Sequence, residues 1–89
     1  MRPVMVSATA QRQLDAIPPK ERARVVRGLK ALGQDPFRPR PGADIKKLEG
    51  GNPEKYRLRV GEWRAVYCVM EPEVRILDIF RRGRGYRIE

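Results

Sequence analysis

The sequence predicts a small α+β domain: a first strand, an antiparallel hairpin of two helices, then a three-stranded antiparallel meander. Together these give a four-stranded sheet with both helices on one face. Three observations carry the prediction. Apolar residues recur at helical spacing between Lys20 and Leu32, and from Lys55 onward the pattern changes to strict alternation. The apolar stretches after Lys55 are separated only by short turn signals, Gly61-Glu62 and Glu71-Pro72-Glu73, as a meander requires. At 89 residues the chain has room for one core, so residues 1–89 are read as a single domain.

Pro3 to Val6 reads as the first strand, followed by Ser7 or Thr9 as a helix N-cap. Ala8 to Ala16 forms a short helix that turns Ala10 and Leu14 inward. Ile17-Pro18-Pro19 ends it, because the first proline disfavours helical geometry at Ile17. Pro19 suits the first turn of a second helix, where its missing N–H costs little, and Glu21 complements the helix dipole. Val25, Val26, Leu29 and Leu32 make the apolar stripe of that helix, and Gly33 is the expected C-cap.

Asp35 to Pro41 contains three prolines and reads as an irregular loop. Asp44 to Asn52 continues it, anchored by Ile45 and Leu48, with a turn at Gly50-Gly51-Asn52-Pro53. Lys55 to Val60 alternates cleanly, placing Tyr56, Leu58 and Val60 on one face and Arg57 and Arg59 on the other. Trp63–Met70 and Val74–Phe80 complete the meander.

Charge narrows the class of partner. The chain carries net charge +9, has fifteen arginines against five lysines, and contains no histidine. Arginine holds phosphate bidentately and stacks on bases, so the bias favours a nucleic-acid or acidic-protein partner over mere solubility. The single cysteine, Cys68, excludes an internal disulfide and a cysteine-based zinc site, and reads as a buried small hydrophobe. No apolar stretch approaches the roughly 18 residues of a membrane span, and the first residues lack the apolar core of a signal peptide. These features predict a cytoplasmic protein without a membrane partner, metal or cofactor.

The candidate site starts from Arg57 and Arg59. Side chains two apart on a strand stand about 6–7 Å apart, close to the spacing of neighbouring phosphates on one nucleic-acid strand. Arg64 lies just past the hairpin, although parity leaves its face open, since Val66 and Cys68 share its side. Arg82 and Tyr86 follow the last strand, where Gly83 and Gly85 allow the segment to bend back across the sheet. The plainer reading of that segment is a frayed basic tail. Lys46, Lys47, Lys55, Arg81, Arg84 and Arg87 extend a basic rim suited to RNA, or are ordinary solvated charges.

These residues resemble the RelE/ParE superfamily of bacterial toxins. The resemblance covers nearly the whole chain: strand, helical hairpin, proline-broken loop, Leu48-Glu49-Gly50, and above all Tyr56-Arg57-Leu58-Arg59-Val60-Gly61-Glu62-Trp63-Arg64-Ala65-Val66-Tyr67. The end, Ile79 to Arg87, is similar to the family's terminal pattern of a basic pair followed four residues later by Tyr-Arg. The resemblance implies the RelE-like microbial ribonuclease fold and, in the RelE-like branch, a toxin that cuts mRNA in the ribosomal A site. It implies catalytic roles for Arg57, Arg59, Arg64, Arg82 and Tyr86. The second-strand pair is often lysine in relatives, so arginine at both positions leaves the general base unassigned. Gly85 also replaces a bulkier residue before the tyrosine.

The implied reaction needs no metal. The ribose 2′-OH attacks the adjacent phosphate while fixed guanidinium groups stabilise the charge that develops. The implied partners are a RelB-like antitoxin, mRNA, and the ribosome with its 16S rRNA; operator DNA would be reached only through the antitoxin. Two alternatives remain: a ParE-like poison of DNA gyrase on the same fold, and a non-catalytic nucleic-acid-binding module. Against the second, Trp63 and Tyr67 share strand parity and belong to the core rather than to an exposed stacking platform.

Overall fold

A computed structural model describes residues 1–83. They form β1 (Val4–Val6), α1 (Ala8–Asp15), α2 (Pro19–Gln34), β2 (Asp44–Leu48), β3 (Lys55–Val60), β4 (Trp63–Met70) and β5 (Glu73–Arg81). The sheet has five strands in the order β1-β5-β4-β3-β2. The α+β class and the meander follow the sequence, but the expected four strands become five, and β1 runs parallel to β5.

The additional strand is β2, in the segment that reads as loop. It pairs antiparallel with β3 from Asp44 opposite Arg59 to Leu48 opposite Lys55. Its two apolar residues, Ile45 and Leu48, are three apart, so no period of two marks it. Only Ile45 is buried, while Lys46 and Lys47 are exposed. Lysines on an edge strand discourage pairing with a further chain, and the same charges hide the strand from a hydrophobicity argument.

Both helices start as the sequence requires. The Ser7 hydroxyl accepts a hydrogen bond from the Ala10 N–H at 3.0 Å and donates to the Leu77 carbonyl at 3.1 Å, so one side chain caps α1 and ties it to β5. Ile17 is buried between the helices, and Pro19 is the first residue of α2. Gly33 is not the C-cap; α2 continues to Gln34 and ends at Asp35. Close packing explains this glycine, because a Cβ there would lie 2.8 Å from the Arg2 carbonyl oxygen, and the Arg2 N–H donates to the Gly33 carbonyl. Arg40 terminates the helix instead, donating to the Ala31 and Asp35 carbonyls at 2.8 and 2.9 Å.

The core lies between the helices and one face of the sheet. Leu14, Ile17, Val25, Leu29 and Leu32 meet Ile45, Leu58, Ala65, Tyr67, Ile76 and Ile79. Gly28 lets α2 approach β3, since a Cβ there would stand 2.8 Å from a Val60 methyl. Tyr67 is fully buried, donates to the Pro36 carbonyl at 2.7 Å and stacks on Tyr56 with ring centres 5.5 Å apart.

The β4–β5 ladder shifts register at Val66/Tyr67: Val66 pairs with Asp78 but Tyr67 with Ile76, so Leu77 bulges. β1 pairs with β5 only as far as Ile76, and the Gln13 amide takes over the exposed edge. It accepts from the Ile79 N–H and donates to the Asp78 carboxylate, each at 2.6 Å. Among the described residues no helix is long and apolar enough to cross a membrane.

Candidate nucleic-acid interface

Register assembles the site on the sheet face away from the helices. Residues directly opposite in neighbouring strands share a face, so one row reads Asp44–Arg59–Arg64–Phe80 and the next Lys46–Arg57–Val66–Asp78. This decides what parity leaves open: Arg64 stands beside Arg59 on the Arg57 face. Val66 is fully buried on that face yet lies outside the helix-side core cluster, so the arginines border a small apolar floor. The intervening residues Leu58, Ala65 and Ile79 point into the core.

Arg64 is held from behind. Its Nη1 donates to the carbonyls of Gly61 and Trp63 at 3.0 and 3.1 Å, and among the described residues its Nε and Nη2 have no hydrogen-bond partner. Its guanidinium is shifted below the ordinary value, first by partial burial and then by the positive charges of Arg59, Arg57 and Arg82; Glu62 opposes the shift. Arg64 therefore lies within reach of three like charges, and an anion placed beside it relieves that repulsion.

Two carboxylates partly neutralise the cluster. Asp44 lies 3.3 Å from Arg59 and 3.7 Å from Arg57, bridging both much as a phosphate would. Glu62 approaches Arg82 at 3.8 Å, and the Arg82 N–H bonds the Glu62 carbonyl, fixing the start of the C-terminal segment beside the β3–β4 turn. Arg57 carries a further cost: its Nε is buried without a hydrogen-bond partner among the described residues. Among the described residues no cluster of His, Cys, Asp and Glu side chains is arranged to hold a metal ion.

Solved structures share this architecture. The RelE–RelB complex of Pyrococcus horikoshii matches with a TM-score of 0.79 at 29% identity, over 94% of this chain and 98% of that one. The toxin–antitoxin complex RelBE2 of Mycobacterium tuberculosis matches with 0.76 at 27% identity, over 91% and 98%. The RelB–RelE complex of Methanococcus jannaschii matches with 0.70 at 21%, over 86% and 88%. No protein-family model and no curated protein sequence matches the chain. The chain has the RelE-like toxin fold.

On this RelE-like scaffold the sequence-derived positions separate into groups. Arg57, Arg59, Arg64 and Arg82 come together. Lys46, opposite Arg57, and Lys55, opposite Cys68, lie on the same face, Lys55 toward its far end. Lys47 lies on the other face, opposite Tyr56, and forms an ion pair with Glu54 at 3.1 Å. Arg81 also leaves the cluster: it pairs with Trp63 and its guanidinium sits 5.7 Å from that ring. An adjacent Arg81-Arg82 pair cannot project to one side of a strand, so only Arg82 reaches the cluster. Arg84, Tyr86 and Arg87 lie outside the described residues.

Two residues on the face escape sequence reasoning. Phe80 is half-buried in the row with Arg59 and Arg64, an aromatic among guanidinium groups. Its parity is inverted by the Leu77 bulge, which alternation cannot foresee. Asp44 begins a segment whose pattern does not mark a strand, and only the β2–β3 register puts it opposite Arg59.

Proposed function

We propose that this chain is the toxin of a type II toxin–antitoxin pair and acts as a ribosome-dependent endoribonuclease on mRNA. The observation that carries the reading is the convergence of Arg57, Arg59 and Arg64 on the sheet face opposite the helices, with Arg82 close enough to act on Arg64, whose guanidinium is lowered first by burial and then by these three charges. Such an array fits a phosphodiester whose charge grows during reaction.

In the proposed reaction the 2′-oxygen bonds to the adjacent phosphorus, and the bond from phosphorus to the 5′-oxygen breaks. The 2′-OH loses its proton and the departing 5′-oxygen gains one, leaving a 2′,3′-cyclic phosphate and a 5′-OH end. Arg64, braced by two carbonyls, and Arg82, anchored at Glu62, hold the non-bridging and departing oxygens. Arg57 and Arg59 bind the backbone, exchanging Asp44 for phosphate. Phe80 offers a ring for a base to stack on, and Tyr86 would align the 2′-OH from the terminal segment. The ribosome would supply the mRNA geometry, placing the activity in the cytoplasm.

The partner in this reading is an acidic RelB-like antitoxin. The similar structures are RelE–RelB complexes, and a chain of net charge +9 is readily silenced by an acidic segment that orders on binding. The test is translation in a purified ribosomal system followed by mapping of mRNA ends. Wild-type protein is expected to cut within the A-site codon, and Arg64→Ala and Arg82→Ala to lose the cut. Intact mRNA with wild-type protein, or undiminished cleavage by both variants, overturns the reading; gyrase-dependent DNA breaks with intact mRNA would move the protein to the ParE-like alternative.

A further inference from the structure

A second cationic surface lies around the β3–β4 turn from the site above. There, α2, the end of β3 and the segment before β2 enclose an open groove of about 630 Å³. It is lined by Arg24, Arg27 and Arg59, by the small residues Gly28 and Ala31 with Val60, and by one carboxylate, Asp44, which is already paired with Arg59 and Arg57. Arg24 and Arg27 are three apart, hence neighbours on one flank of α2, and both are exposed. Arg40 also lines the groove, but its guanidinium is engaged by the carbonyls of Ala31, Asp35 and Arg38 and serves the helix end.

The turn itself links the two surfaces. Gly61 has φ +57, and the Arg24 guanidinium nitrogens lie 3.5 Å from where its Cβ would stand. Arg64 grips the Gly61 carbonyl at 3.0 Å. One glycine thus lies between a guanidinium of the groove and a guanidinium of the open face, bonded to the second, while Arg59 borders both. Among the described residues neither Arg24 nor Arg27 forms an ion pair with a carboxylate, unlike Arg57, Arg59 and Arg82.

We propose that this groove is a second phosphate-binding station for the same single-stranded RNA, whose backbone leaves the open face, rounds the β3–β4 turn and rests on Arg24 and Arg27. The inference rests on the RNA-binding part of the function proposed above and adds the path of the strand. A phosphodiester fits better than an amphipathic peptide, because the groove offers charge without an apolar anchor. The large exposed apolar side chains among the described residues, Met1, Met5, Phe37 and Met70, all lie elsewhere. Peptide helices that dock in grooves draw their affinity from such anchors.

The test is binding of fluorescent homopolymeric RNA to the full chain without ribosomes, using one oligonucleotide too short to leave the open face and one several times longer, over a range of salt. For the long RNA the double variant Arg24→Gln/Arg27→Gln is expected to bind about tenfold more weakly and to lower the salt slope by about 1.4, two contacts at roughly 0.7 each. Binding of the short RNA and the melting temperature are expected to stay unchanged, whereas Arg64→Ala weakens both RNAs. An unchanged long-RNA slope, an equal loss on both RNAs, or no length dependence in the wild-type protein overturns the station. Unaltered RNA binding with weakened binding of a polyglutamate peptide would make the groove an acidic-peptide site instead. Failure of the nuclease reading is separable: mRNA then stays intact on ribosomes while the length-dependent slope persists.

Discussion

The two faces of β3 are built on opposite principles although their residues alternate in sequence. Toward the helices, Leu58 is fully buried, Tyr56 stacks on Tyr67, and Val60 packs against Gly28. Toward the other side, Arg57 and Arg59 share one carboxylate, lie near two further arginines, and among the described residues leave one buried donor unpaired. The first face satisfies its groups internally, and the second gathers four arginines that Asp44 and Glu62 neutralise only in part. A fold that tolerates such repulsion maintains the second face at a cost in stability, as functional surfaces commonly do. Stability and binding should therefore segregate by strand parity, and that segregation can be broken.

The largest effect is expected at Arg64. Replacing it with alanine removes a braced donor at the point of greatest charge density, and losing one preorganised donor of this kind lowers rate by about a hundredfold or more. The same change removes the repulsion between Arg64 and its neighbours Arg59, Arg57 and Arg82, so thermal unfolding should show an equal or higher melting temperature. A variant that is inactive because it is unfolded would erase the distinction between the faces. Leu58→Ala is the counterpart one face over. Deleting a fully buried leucine costs about 2–5 kcal/mol, measurable by denaturant titration, while RNA affinity of the folded fraction should be unchanged.

A smaller effect is expected at Tyr67→Phe. The phenol is pushed well above its ordinary pKa, chiefly by burial, so it remains a neutral donor to the Pro36 carbonyl at any physiological pH. Removing it strands that carbonyl and should cost about 1–2 kcal/mol, with no pH dependence near neutrality and no change in RNA binding. A loss of binding would show that the loop ending at Arg40 communicates with the arginine face.

Parity also determines how much can be read from sequence. β3 and β4 are legible to the residue, because strict alternation between Lys55 and Val60 and a glycine turn leave a single register. The helical hairpin is legible from its prolines and its apolar spacing. β2 is not, since two apolar residues three apart under two lysines describe a loop as well as an edge strand. Resemblance groups Arg64 with Arg57 and Arg59, but alternation alone does not, as Val66 and Cys68 on the same side of β4 argue for the core. Both are indeed buried, on the arginine face. Phe80 is hidden by the bulge at Leu77, an extra residue that shifts every later position of β5 by one.

The smallest expected effect is the most discriminating. Asp44 pairs with Arg59 and Arg57 while half its side chain faces solvent, so its contribution to folding is within about 0.5 kcal/mol. Its contribution to binding has the opposite sign. An incoming phosphate must displace this carboxylate, and at a separation comparable to theirs the residual negative charge repels it. Asp44→Asn keeps the shape, removes the charge, and should raise affinity for single-stranded RNA about two- to fivefold at low salt, with the gain shrinking as salt screens the repulsion. If affinity falls instead, Asp44 orients the two arginines rather than competing for them. The open face would then be preorganised by its own carboxylate, and the division between a satisfied face and an unsatisfied one would have to be redrawn around Arg64 and Arg82 alone.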